Sequence, residues 1–475
     1  MLIFHTFCSI LHIAFADLED YNLISISEAL VYAYPRRSYI KIKGDSLMGS
    51  NVEKVRDKYA TSRLLYIFEA AVEYFISILV GTTYLAKLTT SVGISDGVTG
   101  VLTAFVSLGS GFQIFALLIA HKRPIKRFIT VMHFINELCF TFLYAVPLFD
   151  ISSSAKTAIF VILLLSGNVI HNIILSPKFT WMMGLVDDGS RGSFTAKKEI
   201  VSLLSGVVVS LVMGNLIDRL EEQGRLNTAF ILVGISLFVL TTIHSAILLS
   251  TKEKEERVEK TPIMLRLKDA VTDKNLLKLI PVFVLWNMIT YATTPFFGTY
   301  QLKELEFSMT FVAVLSVIYA LVRSVFSIPL GKFADKYSFV NMLNICFSVM
   351  IVAYFLNAFG GRAAYISYHV LNAIAMAGIN SGTINLIYDY TPPSRRTGAL
   401  AIKNTVAGFV GFFTTLAAKP LVDSIQDAGN RFIFLENVYA QQVLSFLAMA
   451  MTVVLVVYLN LVVKKIKRPS VEESE

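Results

Sequence analysis

The chain has 475 residues, of which 55% are hydrophobic and only 16% charged, with a formal net charge of +8. A soluble chain of this length would carry roughly a quarter charged residues, and 35 phenylalanines exceed what one aqueous core can bury. The composition therefore excludes an ordinary soluble enzyme and points to an α-helical polytopic membrane protein. The basic residues sit between apolar runs, which argues against nucleic-acid binding.

Residues 1–61 precede the first span and need a separate reading. "MLIFHTFCSILHIAFA" ends like a secretory signal but lacks the positive start that such segments carry, and it is too short to cross a bilayer. "KGDSLMG" offers an alternative: Lys43-Gly44-Asp45 can be encoded as a bacterial ribosome-binding site ahead of Met48, so residues 1–47 are expected to be a misassigned start.

A helix needs about 20 apolar residues to span the hydrocarbon core. Twelve such runs follow, at 62–87, 95–120, 128–149, 155–178, 198–218, 227–250, 276–300, 309–330, 339–359, 363–387, 398–420 and 439–463. Strand-like alternation is absent, so a barrel is not expected. The charged linker 251–275 divides the runs into bundles at 62–250 and 276–463, and a tail follows at 464–475. One alternating set of loops is basic ("HKRPIKR", "SRGSFTAKK", "GKFADKYS", "PPSRR", "KKIKR"), which places that set and both termini in the cytoplasm. A cytoplasmic, inner membrane is the expected location. Cys8, Cys139 and Cys346 have no metal-ligand spacing and read as small hydrophobes; no metal or other cofactor is expected.

Charged groups inside spans cost about 2.5–3.5 kcal/mol each at mid-membrane, so each one invites a functional reading. Glu69 and Glu73 lie at i and i+4 on one face of the first span. Two carboxylates facing one cavity cannot both ionise cheaply, which makes them proton-coupling candidates. His133 and Glu137 repeat the spacing in the third span; a proton carrier and an internal ion pair are both open. His171 and His369 stand alone and read as satisfied packing residues. Arg323, in the eighth span, either pairs with an acid or snorkels to the membrane edge, the second being expected. Tyr74 in the first span, with Trp286, Asn287 and Tyr291 ahead of Pro295 in the seventh, form the candidate substrate cavity; an aromatic packing stripe is the alternative.

The halves repeat. "GTTYLAKL" at Gly81 and "GTYQLKEL" at Gly298 end the first and seventh spans in register, and Tyr74 matches Tyr291. Gly and Lys recur at equal spacing in 192–197 and 398–403. A parallel duplication of this kind builds transporters.

Gly331-Lys-Phe-Ala-Asp335-Lys336-Tyr-Ser338, between the eighth and ninth spans, resembles the loop motif Gly-x-Leu-Ala-Asp-Arg-x-Gly-Arg-Arg of the major facilitator superfamily. Ser338 replaces the second Gly, and Phe339 and Val340 replace the basic pair. The resemblance covers roughly residues 60–465. It implies twelve helices in two pseudo-symmetric six-helix bundles and secondary active transport of a small solute by alternating access, coupled to protons or Na+ or to neither. It further implies a monomer in the lipid bilayer that is not an enzyme. Gly331, lacking a Cβ, is expected to let two helices approach closely. Asp335 and Lys336 would latch the cytoplasmic side, with Asp335 meeting the start of the fifth span at Lys197 and Lys198. The equivalent first-half loop has Ala120 at the acid position, so a double latch is not expected. The peptide-symport, sugar-porter and drug-antiporter signatures are absent, and no substrate follows. A transport-derived sensor and an intramembrane enzyme remain as alternatives.

Overall fold

The computed structural model describes residues 58–116, 124–187, 191–254, 272–392, 395–433 and 435–466. The segment at 1–47, most of the linker, Ala120 and most of the tail lie outside the described residues.

Twelve helices among the described residues are long and apolar enough to cross a membrane. They are α1 Ala60–Ser91, α2 Asp96–Phe115, α3 Lys126–Leu148, α4 Ser153–Met183, α5 Lys197–Glu222, α6 Leu226–Ser250, α7 Lys274–Glu304, α8 Met309–Tyr337, α9 Phe339–Asn357, α10 Arg362–Tyr390, α11 Gly398–Asp427 and α12 Ala440–Lys465. Large apolar side chains such as Ile162, Val325, Ile328 and Phe413 stay exposed on their outer faces. In water that surface would drive aggregation; in a bilayer it is the solvated face. The chain is a multi-pass membrane protein.

The helices form two bundles, each around its own apolar core. Tyr66, Leu79, Tyr144, Phe160 and Phe230 pack in the first. Phe283, Tyr300, Phe347, Tyr354 and Tyr365 pack in the second. Side-chain caps mark several helix starts: Ser95 accepts from Val98 N, Ser152 from Ala155 N, and Asp273 from Asn275 N and Leu276 N. The Glu253 carboxylate, just beyond α6, accepts from Ile125 N and Lys126 N and so caps α3.

Two helices differ instructively from the hydropathy reading. The α4 helix continues through Pro177 and Lys178 to Met183. Likewise "GKFADKY", read as a loop, is the last part of α8, and Ser338 alone turns the chain into α9 at φ 155° and ψ 159°. That conformation favours glycine, and Ser338 stands where the resembling motif has its second Gly. The turn is held by the Ser338 hydroxyl, which accepts from Asn341 N at 3.2 Å.

The halves meet along α2–α11 and α5–α8; Asn404 of α11 donates to Gln113 of α2 at 2.7 Å and Ser107 to the Gly408 carbonyl at 2.9 Å, and several further ties lie at the end where α8 begins. Asp96 of α2 pairs with Lys303 of α7 and accepts from Gln426 of α11 at 2.6 Å. Asp218 of α5 accepts from Met309 N at 2.9 Å and Thr310 N at 2.7 Å, capping α8. Thr83 of α1 donates to Gln301 of α7 at 2.6 Å. A Cβ on Gly298 would stand 2.5 Å from the Thr82 carbonyl oxygen. The two repeated Gly-Thr segments are therefore in direct contact where the bundles join, an approach that only glycine permits.

Candidate functional site

Inside the first bundle, α1, α3, α4 and α6 each contribute ionisable side chains to one buried cluster. Glu69 and Glu73 lie four apart on α1 and both face Lys178 of α4. The Lys178 ammonium donates to Glu69 Oε1 at 2.7 Å and Glu73 Oε1 at 2.5 Å. His244 of α6 lies between two acids, with Nε2 3.0 Å from Glu69 Oε1 and Nδ1 in hydrogen-bond contact with Glu137 Oε1. His244 thus bridges Glu69 and Glu137 through its two ring nitrogens, with a proton needed in each contact from the ring or from a carboxyl. His133 of α3 packs edge-on against His244 and His171, with ring centroids 5.1 and 6.1 Å apart. His171 Nδ1 is 4.0 Å from Glu73 Oε1, which closes the circuit.

Three carboxylates, Glu69, Glu73 and Glu137, face the Lys178 ammonium and His244, and Lys198 of α5 lies nearby over the Tyr66 ring. His133 is buried with neither ring nitrogen hydrogen-bonded, and Glu69 Oε2 and Glu137 Oε2 are buried without donors. Glu73 and His171 are the cluster's outlets, with side chains 25% and 29% exposed. Glu73, His133 and His171 hold donor atoms within 4.8 Å of one another, as do His133, Glu137 and His244. The Lys178 ammonium beside Glu73 opposes a second cation at the first group, and both His244 nitrogens are already engaged by carboxylates at the second.

A cleft of about 400 Å³ opens between the halves, lined from α1 by Tyr74, from α5 by Glu199 and Ser202, from α8 by Tyr319 and Arg323, and from α10 by His369. Tyr74 follows Glu73 directly, so one turn of α1 faces the cluster with one residue and the cleft with the next. Arg323 turns to Glu199 at 3.5 Å, not to the membrane edge, because an acid from the opposite half lies within reach. His369 is satisfied by a hydrogen bond to the Leu315 carbonyl at 3.0 Å yet still lines the cleft.

The other expected cavity residues lie elsewhere. Trp286 packs on Phe347, 5.2 Å between centroids. Asn287 donates to the Phe283 carbonyl of its own helix at 3.0 Å, satisfying an amide that would otherwise need a cavity partner. Tyr291 sits against Gly411 at the α2–α11 seam, where its carbonyl accepts from Thr415 at 2.6 Å.

The expected latch is not engaged in this conformation. Asp335 is exposed on the last part of α8, and no hydrogen bond or ion pair joins it to Lys197 or Lys198. Lys198 lies over the Tyr66 ring at 4.8 Å, Lys197 is exposed, and Lys336 lies over Tyr337 at 5.1 Å. A Cβ on Gly331 would meet nothing within 4 Å, so the close helix approach expected there is not made. The acid-on-helix-start contact is found at the opposite end, at Asp218. Its carboxylate sits at the amino end of α8, where the exposed N–H groups and the helix dipole favour negative charge.

Lys178, His244 and Asp218 are residues that spacing along the chain does not reveal. Lys178 follows a proline at the edge of an apolar run, His244 sits among Thr241, Thr242 and Ser245 in an otherwise apolar span, and Asp218 opens the charged "DRLEEQGR" segment. The available signal was an embedded base on each of two other spans, able to neutralise the acids of α1 and α3.

No curated protein matches the chain in sequence. Solved structures do match in fold. A point mutant of the nucleoside transporter NupG aligns at TM-score 0.65 and 14% identity over 84% of this chain and 99% of that one. A bacterial homologue of the human lysosomal transporter Spinster, inward-facing and unoccupied, aligns at 0.62 and 13% over 86% and 99%. A D-xylose–proton symporter aligns at 0.59 and 15% over 85% and 97%. The Major Facilitator Superfamily profile matches residues 64–413 and 302–474. With two six-helix bundles, a cleft between them and that match across the chain, the protein belongs to the major facilitator superfamily.

Proposed function

We propose that this chain is a proton-coupled secondary transporter that carries a small polar solute across the cytoplasmic membrane by alternating access, with both termini inside. The observation that supports the coupling is the buried α1–α3–α4–α6 cluster, in which three carboxylates meet Lys178 and His244 at hydrogen-bond distance and can pass a proton among them. Glu73 receives the proton, being the most exposed of the three carboxylates. Protonation of Glu73 weakens its contact with Lys178, which keeps Glu69. The groups facing Glu73 are Glu69 on its own helix, Lys178 and His171 on α4, Lys198 on α5 over Tyr66, and behind them His133, Glu137 and His244. The change is felt next door at Tyr74, in the wall of the cleft.

Two superfamily members with this fold carry nucleosides or couple xylose to protons, as their names state; they support the class of activity and leave the solute open. The ties at the end bearing the less basic loops, at Asp96, Asp218 and Thr83, support an inward-facing state with the outer side shut. The exposed Asp335 then belongs to a latch that forms when the cytoplasmic side closes.

The test is proton flux in proteoliposomes loaded with a pH-sensitive dye, challenged with a panel of polar metabolites. One compound is expected to bring protons in with it, and its uptake rises when the outside is made acidic relative to the lumen. Uptake indifferent to an imposed pH gradient would overturn the coupling. Binding without counterflow would indicate a sensor, and chemical conversion of the compound an enzyme.

A further inference from the structure

The cleft holds a second pair of charges that the proton cluster does not use. Glu199 comes from one half and Arg323 from the other, 3.5 Å apart, against about 2.7–2.9 Å for a settled charge-assisted contact. Their side chains are 53% and 23% exposed, so both are open to a ligand in the cleft. The wall around them is aromatic and polar. Tyr319 lies 5.4 Å from the His369 ring, and Tyr74 and Ser202 face them across the seam.

We infer that this cleft binds a small zwitterion of the amino-acid type, with its carboxylate on Arg323, its ammonium on Glu199 and its side chain between Tyr74 and Tyr319. The inference rests on the transport reading and names its solute class. The argument is charge balance across a seam where Arg323 is mostly buried and Glu199 half exposed. The pair sums to zero. An anion would satisfy Arg323 and leave Glu199 uncompensated beside it, a cation would do the reverse, and a neutral sugar or nucleoside would part the two charges and replace neither. A zwitterion exchanges one long contact for two charge-assisted hydrogen bonds and keeps the sum at zero. The cavity of about 400 Å³ is within the range of small-ligand sites, about 300–1,000 Å³. Because the pair straddles the α5–α8 seam, a ligand joined to both residues also holds the two halves together. That is the differential contact a solute needs if it is to bias their equilibrium.

The test uses the full-length protein in detergent and in proteoliposomes. Calorimetric binding of the free amino acids, phenylalanine and leucine among them, is compared with their N-acetyl and amide forms and with xylose and thymidine. At least one free amino acid is expected to bind, and each blocked form of it at least tenfold more weakly. Glu199→Gln should erase the preference over the N-acetyl form, and Arg323→Gln the preference over the amide. The exchanged pair, Glu199→Arg with Arg323→Glu, should recover binding and shows that loss in the single variants is not misfolding. Blocked and free forms binding alike, or no amino acid binding to monodisperse protein, would overturn the inference. Exchange of a sugar or nucleoside alone would sink this site and leave the transport reading intact. Amino-acid binding without counterflow would do the opposite.

Discussion

Replacing Lys178 by Met would leave Glu69 and Glu73 facing each other with their shared cation gone. Breaking a buried pair from one side costs about 3–5 kcal/mol, so Lys178→Met is expected to lower the unfolding temperature sharply in detergent. Adding Glu69→Gln should recover part of the loss, since it removes the second buried charge; a single variant as stable as the parent would refute the pairing. Glu73→Gln has a different expected outcome. It mimics the protonated acid, so solute counterflow persists while accumulation driven by a pH gradient disappears. Residue-scale legibility was uneven for a physical reason. Glu69 with Glu73 and His133 with Glu137 could be found because each pair shares a helix face, and helix geometry is known from spacing alone. Lys178 and His244 answer those acids from other helices, and no spacing in the chain encodes that.

At the scale of the element, the Gly-Thr segments of α1 and α7 make a close backbone approach between halves. A methyl group at Gly298 would stand 2.5 Å from the Thr82 carbonyl oxygen, and overpacking of this kind costs about 1–3 kcal/mol. Gly298→Ala is therefore expected to loosen this end and shift the population toward the opposite-facing state, read as greater labelling of a cysteine placed at Thr83. Unchanged labelling would mean that the contact does not set the equilibrium. Helix ends were the weakest part of the sequence reading. Hydropathy closes a helix where charge begins, but the helices continue through "GKFADKY" and past Lys178 to Met183. The polar interface solvates charged side chains without opening the helix, so the two boundaries need not coincide.

For the whole molecule, the clasp formed here and the clasp expected from the motif lie at opposite ends of α8. Asp218 caps its start, while Asp335 near its finish is exposed. Alternating access requires that they alternate. Asp218→Asn should weaken the existing closure and raise the fraction facing the other way, measured by spin-label distances between loops 223–225 and 358–361. A cysteine pair at Asp335 and Lys198 should cross-link only in that second state; cross-linking at equal rate in both would remove the latch from the mechanism.

Spans of about 20 apolar residues, their number and the division into two bundles were readable from the chain, because each follows from local hydrophobic length and from where charge interrupts it. Which polar groups meet was decided only in three dimensions. The neutralisation of α1 acids by α4 and α6, the Arg323–Glu199 bridge across the seam, and the end at which the halves close all join helices far apart in sequence. A buried charge specifies that it must find a partner; only packing specifies which one.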